Sequence, residues 1–515
     1  MAMFGAAQSR IDRERDDFKE TIRNREDDIR RLASSHHDEA LPCAFFQPSK
    51  HDNYIARGSF NICFFVQFCS GERWVVQIPL RPCLAISLQS KVDSEVATMS
   101  LIAERTSIPI PRVLAYSCNE TADPLSTFII MEYVGGEKLS AERLKHATET
   151  QKKNLYTSLA SVYIQLRRLE FPAIGRLARC TKGEFEVSNQ ALTVDTNGLQ
   201  LEGLNSFATQ SSYHDKRDVL ISANEYIAMR LQISWNAFLK SRTSIEHGMG
   251  ANVLYHQHLF HQHAKKWANP TLDLGPFVLV HGDLGPQNLM VDDGLRITAV
   301  IDWEWSRVVP IQFFTPPLWL TCRDTVSLSA PSTYKLYLMK GLSDFLRVVE
   351  ARELDMFQDD LLFREWNTRK EDGRPLVANA LENWTDIDWF ASRYLSQGKD
   401  DDVDKHVKAF IEADPIRGSI VRMKEDDAVA YEAELQQLKD DEPRYDSSSE
   451  SQSIAGKLLR YRTGISSMAA AFLPSKHTKL WTVQSTPMVA VASVVVLGGL
   501  LIGKRMVAAP NLLAR

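Results

Sequence analysis

The chain has 515 residues, of which 44% are apolar and 24% charged, the composition of a folded globular body; collagen-like, wholly disordered and multispanning membrane chains are excluded. At this length a single compact core gives way to several domains or to one large two-lobed body with tails. Sixty basic against 65 acidic side chains leave a net charge of −5, without the positive field that neutralising nucleic-acid phosphates requires, so nucleic acid is not an expected partner.

Residues 1–43 lack the uninterrupted apolar core of a secretory signal, and within residues 10–31 sixteen of twenty-two side chains are charged, eight of each sign. Ile11, Phe18, Ile22 and Ile29 recur at helical spacing. The spacing predicts a charged helical arm with a narrow apolar seam, either a docking arm or a helix resting on the body. The seven cysteines are widely spread with no C-x-x-C pair, and read as reduced thiols of a cytosolic body.

Residues 44–135 turn β-like. NICFFVQF and WVVQIPL flank a turn at Ser70-Gly71-Glu72, SKVDSEVATMSLIAER reads as an amphipathic helix ended by Pro109 and Pro111, and RVLAYS and TFIIMEYV add two strands before Gly135-Gly136. Residues 136–440 read as a mainly helical lobe interrupted by one strand pair near 288–301. Residues 441–479 read as a flexible linker, on the serine and acid content of YDSSSESQS at 445–453, and residues 480–515 as an apolar tail able to anchor in a membrane.

The chemistry concentrates in VLVHGDLGPQNLMVDDGLRITAVIDWEW. A strand-like run delivers His281-Gly282-Asp283 to a loop that Pro286 keeps irregular; Asn288 then opens a strand that turns at Asp292-Asp293-Gly294 and returns to Asp302. Such a hairpin folds Asn288 and Asp302 back towards each other at its open end. One amide oxygen and one carboxylate, with most coordination positions left over, suit Mg²⁺, which completes its shell from water and nucleotide phosphates. Asp283, on the same loop, is placed to accept the proton of a substrate hydroxyl.

HGDLGPQN followed by IDWEW resembles the signature of the aminoglycoside phosphotransferase family, within the protein-kinase-like fold, and is most similar to the branch found in filamentous fungi. The similarity runs from about residue 44 to residues 313–317. It implies an α+β bilobal fold, with a small antiparallel-sheet lobe and a large mainly helical lobe, to which the apolar run 480–503 adds a C-terminal apolar helix by its composition. It further implies ATP and Mg²⁺ as cofactors, Asp283 as catalytic base, Asn288 and Asp302 as magnesium ligands, Glu304 as an auxiliary metal or substrate contact, and a structural role for His281. In the first lobe it implies that Gly58, Ser59, Phe60 and Asn61 form a phosphate-covering turn. Glu95 takes the place of the helix glutamate that pairs with a basic residue on the preceding strand. Residues 131–134 take the place of the interlobe hinge, with Glu132 and Val134 at the adenine edge.

One position departs from the pattern. Gln77 brings a neutral amide to the strand position where a lysine or arginine would grip phosphate, and Glu95 is thereby expected to lack its partner. Period-two counting puts Arg81 on the same face as Gln77, but Pro79 and Pro82 bend the chain between them. His256, His258, His261 and His263 invite a metal reading, although no pair stands at i,i+4 beside an acid, and the expectation is a solvated or lobe-packing helix. The uncharged run 480–503 is long enough to cross a bilayer, leaving open a tail anchor in an intracellular membrane or a helix packed on the body.

These residues imply an ATP- and Mg²⁺-dependent phosphotransferase moving the γ-phosphate to a hydroxyl of a small-molecule acceptor. The alternative, drawn from Gln77, is a catalytically silent kinase-like module that binds nucleotide or a partner protein. Acceptor identity and oligomeric state are not selected by the residues.

Overall fold

The computed structural model describes residues 4–49, 53–189, 193–203, 219–368, 373–396 and 403–441. The chain divides into two units, Met1–Phe472 and Leu473–Arg515. The second unit, and with it the 480–503 run, lies outside the described residues. No described helix is long and apolar enough to cross a membrane.

Strict alternation builds the first lobe. Strands β1 (Cys43–Phe45) and β2 (Ile55–Arg57) both pair antiparallel with β3 (Asn61–Phe68), which is followed by β4 (Arg73–Pro79), then β6 (Thr127–Glu132) and β5 (Val113–Cys118) at the far edge. Ile62 stands opposite Ile78 and Phe64 opposite Val76. These residues, with Val66 and Ile130, are sealed by Ile22 and Ile29 from two N-terminal helices, α1 (Phe4–Arg23) and α2 (Glu26–Ser35). The apolar seam of the arm is therefore spent on the sheet, and its charges form exposed i,i+3 pairs such as Arg23–Glu20.

Because side chains alternate along a strand, the same register sends Gln77 and Ile129 to the opposite face. There the helix α3 (Leu88–Arg105) lies, N-capped by Ser87, which accepts from Ser90 N. Its Val92, Val96 and Met99 join Ile129 and Met131 in the main core, which continues through Leu155, Tyr163, Trp303 and Phe345 of the second lobe.

The second lobe holds more strand than its helical sequence pattern suggests. Besides the expected hairpin, Phe277–Val280 pairs with both Arg307–Pro310 and Glu170–Phe171, and Arg176–Arg179 pairs with Phe185–Asn189. The strand-like run before His281 is thus a strand with a partner on each side, whereas VVP after Arg307 is a buried apolar run too short for periodicity to distinguish from buried helix. The central pairing of 277–280 with 307–310 fixes the two chain segments that flank the chemistry.

Candidate active site

The strand Phe277–Val280 hands the chain to His281, whose ring is locked by two bonds. Nε2–H donates to Ile301 O (3.0 Å) and Nδ1 accepts from Asp283 N (3.3 Å), while the ring lies 4.5 Å from that of Trp303. This pattern requires a neutral imidazole, and burial pushes its pKa down to about 4. Gly282, at φ +86°, lets the loop press against the next segment: a Cβ there would lie 2.1 Å from Trp305 O. His281 is thus a brace for the loop and not a proton carrier.

Asp283 follows at the tip. Gln287 Nε2 donates to its Oδ1 (3.2 Å), and Asn288 Nδ2 donates to its backbone O (2.8 Å) and to Oδ2 (3.1 Å). The hairpin register sets Leu289 opposite Val300, and Ile301 N donates to Asn288 O at 3.0 Å, so Asn288 lies beside the end of the returning strand that carries Asp302. Asp302 sits in the left-handed region (φ 70°, ψ 58°), where the chain breaks out of the strand into the turn of Trp303–Trp305. Its carboxyl pKa is pushed well up, by burial first and then by the neighbouring charges of Glu304, Glu95 and Asp283, against the pull of Lys91. Asp283, Asn288 and Asp302 are brought together, as their spacing along the hairpin suggests.

The first-lobe residues converge on the same place, but with different partners from those expected. Gln77 Nε2 donates to Glu95 Oε1 at 2.9 Å, both side chains being buried. Glu95 does not lack a cation: Lys91, one helical turn earlier on α3, donates from Nζ to Glu95 Oε2 at 2.9 Å. The same ammonium reaches Glu304 Oε2 at 2.8 Å and Asn61 Oδ1 at 3.2 Å. Burial works against the Lys91 charge, yet Glu304 and Glu95 outweigh it and hold the proton more tightly than water would. Glu304 also accepts from Asn61 Nδ2 at 3.0 Å, so its carboxylate is engaged with side chains of the first lobe. Arg81 is exposed in the short turn Arg81–Cys83 and has no place in this cluster.

Gly58, Ser59, Phe60 and Asn61 do form the turn that links β2 to β3, closed by Gly58 N donating to Asn61 O at 2.9 Å. Phe60 meets Trp305 edge-on at 4.8 Å, laying the turn over the segment that follows Asp302. At the hinge, Glu132 N donates to Arg112 O and Tyr133 N to Arg73 O, both at 2.9 Å. These N–H groups belong to the sheet, and Val134 carries the next backbone donor. The Glu132 side chain is exposed and pairs with Arg112 at 3.4 Å, so only its backbone can serve an adenine edge. Gly136, at φ +117°, brings the hinge onto the hairpin: a Cβ there would lie 2.9 Å from Val291 O.

Sequence reasoning missed Lys91, Asn61 as a side-chain ligand, and Arg307. The last is buried, donates to Trp305 O (3.1 Å) and Glu382 (2.6 Å), and clamps the Asp302 segment to the helical lobe. Lys91 had a signal, its i,i+4 spacing to Glu95. The histidine-rich helix packs, as expected: His256 Nδ1 bonds Asp388 at 2.7 Å, and His258 and His261 line a cavity of about 520 Å³ with Trp235, Gln257 and Lys265. Among the described residues no three His, Cys, Asp or Glu side chains gather to hold a metal ion.

The residues fit a magnesium nucleotide by donor chemistry. Asn288 has committed its NH₂ to Asp283, which leaves Oδ1 as its ligating atom, and Asp302 faces three carboxylates with Lys91 as the cation that opposes them. A pair of hard oxygen donors in so negative a cluster is chemically suited to a divalent cation.

The model of the phosphotransferase enzyme family matches residues 55–313. A subtelomeric hrmA-associated cluster protein of Aspergillus fumigatus is 31% identical over 123 residues, 24% of either chain. Altered inheritance of mitochondria protein 9, mitochondrial, of Meyerozyma guilliermondii is 29% identical over 125 residues, 24% of this chain and 20% of that one. The chain thus spans about a quarter of the length of the curated relatives it matches. Among solved structures, the gentamicin–APH(2'')-IIa complex is 15% identical and covers 70% of this chain and 97% of its own, with a TM-score of 0.35. Macrolide 2'-phosphotransferase type I is 13% identical and covers 72% and 95%, with a TM-score of 0.37.

Proposed function

This chain belongs to the phosphotransferase enzyme family, and from that premise we propose that it moves the γ-phosphate of ATP to a hydroxyl of a small molecule, with Mg²⁺ as the required ion. The observation that carries the reading is the Asp283–Asn288 contact at 3.1 Å beside Asp302, which unites a proton acceptor and two oxygen ligands on one loop and hairpin.

In this reading Asp283 takes the hydroxyl proton as the oxygen attacks the γ-phosphorus, and the bond from that phosphorus to the β,γ-bridging oxygen breaks to release ADP. Gln287 and Asn288 donate to the two Asp283 carboxylate oxygens and so hold the group in one orientation. Asn288 Oδ1 and Asp302 would hold Mg²⁺, which would supply charge neutralisation to the phosphates when bound. The Gly58–Asn61 turn covers the phosphates, and the hinge backbone at Val134 meets the base.

The test is Mg-ATP binding by thermal shift, together with phosphate transfer to a panel of amino sugars, amino alcohols and sugars, for wild type and Asp283→Asn. Binding by both and transfer by the wild type alone is the expected result; equal turnover by both would overturn the role of Asp283. A second reading, favoured by Gln77, is a silent nucleotide-binding module. It takes over if Mg-ATP binds and no transfer or hydrolysis depends on Asp283.

We keep a cytosolic body as the proposed location, on the reduced cysteines. The mitochondrial name of the yeast relatives makes an organelle the competing compartment, and fractionation of the full chain, with carbonate extraction for the 480–503 run, separates these outcomes.

A further inference from the structure

We propose that Lys91 is the phosphate-site cation of this protein, supplied by helix α3 instead of strand β4, so that Gln77 seats a relocated charge and is not a lesion in the site. This rests on the phosphotransferase reading and names a residue that the reading does not.

A cation arriving from β4 would meet Glu95 from the strand side. Here that side is taken by the Gln77 amide on Glu95 Oε1 at 2.9 Å, and the charge comes to Glu95 Oε2 from the neighbouring turn of the helix at 2.9 Å. The carboxylate thus keeps both of its hydrogen bonds and its ion pair, with the two functions divided between two residues.

The ammonium stands where three pieces that would enclose a triphosphate meet. Asn61 belongs to the covering turn, Glu95 to the helix, and Glu304 lies two residues past Asp302. A lysine this buried, 3% exposed, requires a counter-charge. It has two, both inside the proposed site.

An ammonium has three N–H donors, and all three are used. Glu304 and Glu95 hold two of them at 2.8 and 2.9 Å; Asn61, the neutral partner, holds the third at 3.2 Å. A phosphate oxygen makes a shorter, charge-assisted bond and displaces the neutral acceptor. Asn61 keeps its own bond to Glu304 at 3.0 Å, so the exchange leaves the carboxylates paired. A Lys91 that merely neutralises Glu95 and Glu304 would instead matter for stability alone.

The experiment compares full-length wild type, Lys91→Gln, Gln77→Lys and the swap Gln77→Lys/Lys91→Gln, reading Mg-ATP affinity by calorimetry and the denaturation midpoint without nucleotide. Loss of a charge-assisted bond predicts that Lys91→Gln binds Mg-ATP roughly tenfold to a hundredfold more weakly. The swap, which returns the ammonium to β4, restores affinity to within about threefold of wild type, a much smaller gap than one charge-assisted bond. Lys91→Gln binding as tightly as wild type with only its midpoint lowered would overturn the proposal, as would a folded swap that stays weak. If Lys91→Gln does not fold, the swap alone decides on the same criteria. A wild type that binds no Mg-ATP at millimolar concentration sinks the phosphotransferase reading itself and this proposal with it; Asp283-dependent turnover beside an indifferent Lys91 sinks this proposal alone.

Discussion

Glu304 and Lys91 meet at 2.8 Å, each side chain only 2% exposed, and the pair ties the segment after Asp302 to the helix of the sheet lobe. Glu304 also takes the Asn61 amide on the same oxygen, Oε2, so that oxygen is committed to two protein donors. Glu304→Gln keeps an acceptor for Lys91 but removes the charge, and is expected to cost about 1–3 kcal/mol in denaturant unfolding. Glu304→Leu leaves Lys91 with Glu95 alone and is expected to cost about 3–5 kcal/mol. The Mg²⁺ concentration needed for nucleotide binding should not move in Glu304→Gln. A tenfold or larger rise in that concentration would return Glu304 to the metal shell.

Asp283 is held by donors on both oxygens, at 3.2 Å from Gln287 and 3.1 Å from Asn288. Asp283→Asn retains one oxygen to accept such a bond, so the loop should keep its shape and Mg-ATP affinity should stay near that of wild type. Turnover should fall by about 10²–10⁴, the usual share of a general base. Single-turnover transfer, measured with saturating nucleotide, checks the split between binding and chemistry.

The loop-and-hairpin side of the candidate site was legible because it is local. Asp283, Asn288 and Asp302 lie on one loop and one hairpin, and the turn at Asp292-Asp293-Gly294 is enough to bring the last two together. Gln77 was legible for a similar reason, since alternation along β4 settles which face it takes. Lys91 was not, although counting back four from Glu95 reaches it. Polarity assigns a lysine near the start of an amphipathic helix to solvent, and only the approach of Glu304, 213 positions later in the chain (304 − 91), makes its burial affordable. The same non-locality hides the strand at 307–310 and its pairing with the strand-like run at 277–280, and leaves the arm's seam visible without the sheet face that covers it.

Gly282 is the tightest backbone approach at the loop, with Trp305 O 2.1 Å and Arg307 Nη1 2.7 Å from where a Cβ would stand, at φ +86°. Gly71, at φ +94° in the β3–β4 turn, has nothing within 4 Å of that position. Gly71→Ala therefore bears only the left-handed penalty, about 1–2 kcal/mol. Gly282→Ala bears that penalty and must also displace backbone, so it should cost well over about 3 kcal/mol. Because the displaced segment is the one that follows Asp302, Mg-ATP affinity should fall with it. Unfolding midpoints and nucleotide titrations of the two variants check the contrast; equal losses would mean that the loop does not press on Trp305.

His281 has a folded pKa of about 4, pushed down by burial, against about 6.5 for an unfolded histidine. As pH falls through that interval the unfolded chain takes up a proton that the native state refuses, so stability is full above about 6.5 and declines below it. His261, also lowered to about 4 by burial, acts in the same direction. Asp386 opposes them: burial raises its pKa to about 6, so its contribution is present at low pH and is lost as pH rises through 6. His281→Gln keeps a donor for Ile301 O and removes the titration, and the variant should be less stable than wild type at pH 7.5 but lose less on going to pH 5. With one group shifted from about 6.5 to about 4, the difference between the two losses should be about 2 kcal/mol at pH 5. Guanidinium unfolding of both proteins at the two pH values measures it. An identical loss in both would mean that His281 titrates normally, and a protonated ring could not accept from Asp283 N, so the brace holding the catalytic loop would have to be drawn differently.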